Sequence, residues 1–124
     1  MKESIKKEIL DFAEYCSEIW CEWYEGNIDD KNTLRIVSDN SKWVIHLNDF
    51  NKFHSYILWH YSSNIGDDKY HRQKSNQNIF YLIAEAISHD FHKIYKLPFH
   101  MEDFHRLESD FKKYYVRKKG EQLC

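Results

Sequence analysis

The chain has 124 residues, 42% of them apolar and 31% charged, with a formal charge of −2. That length suits one domain spanning residues 1–124, with a core that needs no disulfide or metal to form. The composition excludes a disordered polyelectrolyte, and no apolar run approaches the roughly 20 residues of a membrane-spanning helix. Charge is uneven along the chain: residues 1–60 carry −4 and residues 61–124 carry +2, so the molecule is not a polycation built for nucleic acid.

The first element is read from Ile5, Ile9, Phe12, Cys16, Ile19 and Trp23, whose spacings of 4, 3, 4, 3 and 4 mark one face of a helix. Ser4 serves as its N-cap and Gly26 as its stop, so the helix is predicted over residues 4–25. The opening MKESIKKEILDF has neither the apolar run nor the small-residue cleavage site of a signal peptide. An odd count of three cysteines without C-x-x-C argues against a disulfide framework, so a cytoplasmic location is expected.

A loop follows at residues 27–32. Residues 33–47 then admit two readings. Leu34-Arg35-Ile36-Val37 and Trp43-Val44-Ile45-His46-Leu47 flank the turn-formers Ser38-Asp39-Asn40-Ser41, as in a hairpin. Alternatively, Trp43, Leu47, Phe50, His54, Ile57 and Tyr61 fit one long helix from Ser41. The hairpin is preferred, with a helix over about residues 49–62. Residues 62–78 are almost devoid of apolar side chains and read as a long polar loop.

A helix is predicted over residues 78–96, with Phe80, Ala84, Ile87, Phe91 and Ile94 inward, broken at Leu97-Pro98. Another over residues 100–118 turns Phe104, Leu107, Phe111 and Tyr115 inward and ends on a basic VRKK run that suits a helix C-terminus. The expected fold is therefore mainly α. It is a small bundle of about four helices, with the alternative of a two-stranded hairpin around residues 33–47 making it α+β.

Three constellations bear on function. Asp11, Glu14, Glu18, Glu22 and Glu25 are spaced 3, 4, 4 and 3, lining one side of the predicted first helix beside Trp20, Trp23 and Tyr24. Such a strip is first of all a solvated outer face. It is also what would attract a basic protein surface and anchor it on aromatics. Glu85, His89 and His92 share a helix side at i, i+4 and i+7, and would suit zinc or another divalent metal if His60, His100 or His105 joined them. The segment Asp67-Asp68-Lys69-Tyr70-His71-Arg72-Gln73-Lys74 mixes cations with aromatics, but its two aspartates oppose a phosphate backbone, so nucleic acid is disfavoured.

No nucleophile elbow or phosphate-cradling loop is present, which leans against an enzyme. The expected function is a non-enzymatic protein-binding module without cofactor. By type it looks like a stoichiometric inhibitor, as toxin-immunity proteins are, occluding a basic partner such as a nuclease toxin. The alternatives are a metal-binding protein or metal-dependent enzyme, and a nucleic-acid binder.

Overall fold

A computed structural model describes residues 1–20, 22–38, 41–48, 54–62, 70–97 and 99–122, with the backbone alone at 62 and 118–122. Its elements are helix α1 (Glu3–Ile19), strands β1 (Glu25–Ile28), β2 (Thr33–Val37), β3 (Ser41–His46), β4 (Tyr56–Ser62) and β5 (His71–Asn76), then helices α2 (Ile79–Tyr95) and α3 (Met101–Gln122). The five strands form one antiparallel sheet in the order β1-β2-β3-β4-β5. The fold is α+β, not a mainly α four-helix bundle, and the molecule is not a small helical protein.

The reason lies in β4 and β5. Ile57, Trp59 and Tyr61 alternate with Leu58 and His60, and β-branched and aromatic residues fill a pleated surface well. Helical spacing across the same run is a coincidence of short apolar stretches, so the helix expected over residues 49–62 gives way to β4. Residues 49–53 and 63–69 lie outside the described residues. In the expected polar loop, His71–Asn76 is a strand without one apolar side chain. As an edge strand it needs none, since backbone pairing with β4 holds it.

The hairpin of residues 33–47 is present as β2 and β3, where Leu34 faces Ile45 and Ile36 faces Trp43. It is the centre of a larger sheet. Leading into it, Asp29 organises the turn. Its Oδ1 accepts the Lys31 and Thr33 backbone N–H groups at 2.9 and 3.0 Å, and its Oδ2 pairs with Arg35. These bonds hold the Asp29 carboxyl at a pKa of about 2, the Arg35 hydrogen bond contributing most.

Helix α1 begins at Glu3, with Lys2 rather than Ser4 in the cap position, and stops at Ile19 instead of residue 25. The chain then doubles back so that β1 runs beneath α1. At Gly26 the backbone passes close to Leu10 and Ala13, where an added Cβ would lie 3.4 Å from Leu10 Cδ2. Gly26 therefore belongs to a strand under the helix rather than to the helix's end.

Helices α1 and α2 bury their apolar faces on the side of the sheet that carries Leu34, Trp43 and Leu58. Phe12 is fully buried and sets its ring edge-on to Phe80 and Phe111, with centroids 5.1 and 5.0 Å apart. Helix α3 closes the core from outside through Phe104 and Phe111. Helix α2 is buried on several sides between Tyr81 and Ser88, because sheet and helices surround it there. Its last turns project beyond the core, so Ile94, expected inward, is 69% exposed. No helix among the described residues is long and apolar enough to cross a membrane.

Candidate functional site

The end of α1 and the end of α2 lie side by side, and the sequence's candidate residues gather around that junction. Trp20, the C-cap of α1, meets His92 of α2 and Phe99 edge-on, both at 6.0 Å between centroids. The half-buried Trp20 ring thus fastens α1, α2 and the segment leading to α3 to one another.

Around this fastening the acidic candidates divide. Asp11, Glu14 and Glu18 stand on α1, with Asp11 half-buried and the two glutamates exposed. Glu22 lies in the link after the helix, and Glu25 opens β1. The five carboxylates are therefore not one helical strip. Three follow the helix, and two follow the chain as it turns beneath it.

The aromatic candidates divide as well. Tyr24 is half-buried, and burial, with Asp90 and Glu22 near it, pushes its hydroxyl above the ordinary tyrosine range. Trp23, expected on the inner stripe, is instead 63% exposed. Ile19 is also exposed, as are Tyr95, the last residue of α2, Leu97 after it, and Met101 at the start of α3. Exposed apolar side chains mark a contact surface where they join into one patch, not where they are scattered singly.

Glu85, His89 and His92 sit on the neighbouring side of α2 and line an open groove of about 520 Å³ with Lys74, Lys96 and Phe99. They are half-buried rather than solvated: Lys74 of β5 meets Glu85, His60 of β4 and Trp43 of β3 meet His89, and Phe99 meets His92. Each is engaged differently. Glu85 pairs with Lys74 Nζ at 3.6 Å, and the same ammonium donates to Tyr81 Oη at 2.8 Å. His89 Nδ1 lies 3.2 Å from Asp90 Oδ1. Both His92 ring nitrogens are buried without a hydrogen-bond partner, and desolvation lowers its pKa.

No group of three or more His, Cys, Asp or Glu side chains is gathered to hold a metal among the described residues. The triad shares a groove without converging on a point.

His60 of β4 stacks on the buried Trp43 of β3 at 4.0 Å and 14°, and His89 of α2 approaches within 5.3 Å of His60. Burial and the neighbouring His89 lower the His60 pKa, favouring a neutral ring. Trp43 and His60 are directly opposed across β3 and β4, a pairing visible only once that register is known.

Cys16 is buried on the α1 stripe, and burial pushes its thiol far above the reactive range. Cys21, Asp67, Asp68, Lys69, Pro98 and Cys124 lie outside the described residues. No protein-family model, curated protein or solved structure matches the chain.

Proposed function

We propose that the chain is a non-enzymatic protein-binding module, a stoichiometric inhibitor of the immunity-protein type, whose α1 end occludes a basic partner such as a nuclease toxin. The observation that carries this reading is Trp23, a large aromatic 63% exposed at the turn below α1. Ile19, Ile94, Tyr95 and Leu97 are exposed too, as are the carboxylates of Glu14 and Glu18 on α1 and the ammonium groups of Lys93 and Lys96 at the end of α2.

An aromatic anchor with apolar neighbours and a charged rim has the composition of a protein interface. Trp23 would supply most of the affinity, since buried aromatic anchors are worth about 2–4 kcal/mol on truncation. The carboxylates would act mainly on encounter, raising the association rate with a basic surface at low salt. Trp20 stays in place behind them and fixes the geometry of the patch.

The test is affinity capture with the full chain from an extract of its own organism, followed by kinetics on the purified pair. Reversing charge at Glu14, Glu18 and Glu22 together is expected to slow association at least about ten-fold at low salt. Unchanged association and dissociation rates in that variant would rule this interface out.

A further inference from the structure

The helices α1 and α2 pack on the face of the sheet that carries Leu34, Trp43 and Leu58; on the other face Val44 is buried, Trp59 is half-buried, and Arg35, Lys42 and Arg72 are exposed. Register places Arg35, Val44, Trp59 and Arg72 in a single row across that other face, one residue from each of β2 to β5. The next row holds Val37, Lys42 and Tyr61. Lys42 Nζ lies 5.6 Å from the centre of the Tyr61 ring, and Tyr70 adds a third aromatic 5.5 Å from Tyr61. Trp59 and Tyr61 are two residues apart on β4, hence about 6.6–6.8 Å apart along it.

The charges of this face are largely of one sign. Arg35, Lys42 and Arg72 are exposed, and the outward strand positions among the described residues carry one carboxylate, Glu25 on the β1 edge. Asp29 reaches Arg35 from the turn. Two copies stacked through this face would bring like charges together, which disfavours a symmetric dimer here. The complementary occupant is an anion presenting flat rings at intervals along a chain.

We propose that this face binds single-stranded nucleic acid, with Trp59 and Tyr61 stacking bases and Lys42 and Arg72 holding phosphates, Arg35 being paired with Asp29. The site is on the opposite side of the sheet from the α1 surface and does not depend on it. An acidic polypeptide would use the same cations but has no rings to stack in succession, so it makes less of Trp59.

The full chain is titrated into fluorescently labelled oligo-dT and oligo-U of about 20 nucleotides, read by anisotropy from about 50 to about 200 mM salt. Saturable binding is expected at low salt, with log K falling against log salt at a slope of about −1.4 for two phosphate contacts. Trp59→Leu is expected to weaken binding about ten-fold. The exposed pair Lys42→Glu and Arg72→Glu is expected to abolish binding without altering the circular dichroism spectrum. The second variant decides the matter if the first fails to fold. The proposal is overturned if neither oligonucleotide binds at about 50 mM salt, or if the charge pair leaves affinity unchanged. Equal competition by poly-glutamate would overturn it too, by assigning the face to acidic polypeptides.

Discussion

Burial depresses the pKa values of His60 and His92, hydrogen bonds depress that of Asp29, and the histidines respond to acid in a higher window than the carboxyl. His92 keeps a neutral imidazole between Trp20 and Phe99, with neither ring nitrogen bonded. A buried polar atom left unpaired costs about 1–3 kcal/mol, so His92→Phe is expected to raise stability by about 1 kcal/mol at pH 7 in urea unfolding. Because the folded-state pKa is depressed, the unfolded chain takes up the proton first. Stability is therefore lost as pH falls below about 6.5, and His92→Phe should flatten part of that decline.

Asp29 acts lower. Its folded pKa of about 2 lies beneath the ordinary 3.8, so its contribution is intact above about pH 4 and disappears as pH falls toward 2. Asp29→Asn is expected to be the less stable protein at pH 6 and to match the parent near pH 2. A constant gap between their unfolding curves across that range would contradict the assignment. At this scale the sequence was informative about identity and silent about partners: eight histidines were countable, but only folding shows which rings are dry.

Among the elements, helices with a dominant apolar period were legible. The helix expected over residues 78–96 is present as α2, Ile79–Tyr95, with Asn78 capping it by accepting the Phe80 N–H at 2.9 Å. What misled was the end of α1. The 4, 3, 4, 3, 4 spacing runs on to Trp23, yet the chain must turn before then to bring β1 beneath the helix. Periodicity reports which residues would share a face if the helix continued, not whether it does. Edge strands β1 and β5 were illegible for the opposite reason. They are held by backbone pairing, and their side chains have no apolar pattern to read.

Two substitutions test the packing of these elements. Phe12→Ala removes the ring on which Phe80 and Phe111 meet, and is expected to cost about 3–5 kcal/mol. That is a large part of the stability of a domain this size, and loss of the cooperative thermal transition is a fitting readout. At the end of α2, Lys96 occupies the left-handed region at φ 55° while its N–H bonds His92 O. A side chain there costs about 1–2 kcal/mol. Lys96→Gly is therefore expected to stabilise by about 0.5–1 kcal/mol net of the added freedom of the unfolded chain, measured in urea.

At the scale of the whole molecule, the chain presents two unlike surfaces separated by one core. One is the helical end, with Trp23, Ile94 and Tyr95 in solvent; the other is the outer sheet face, with Trp59 opposite Arg72. The sequence pointed to the first through Trp23 and its carboxylates, although it drew them on a longer helix. It was silent on the second, because that face exists only once β2 to β5 are in register.

The central claim, that the α1 end is a protein interface, is tested most directly by amide hydrogen exchange of the full chain with and without its captured partner. Slowed exchange is expected over residues 19–25 and 92–97, with the strands β2 to β4 unchanged. Protection confined to the sheet, with residues 19–25 exchanging as fast in the complex as alone, would contradict the account.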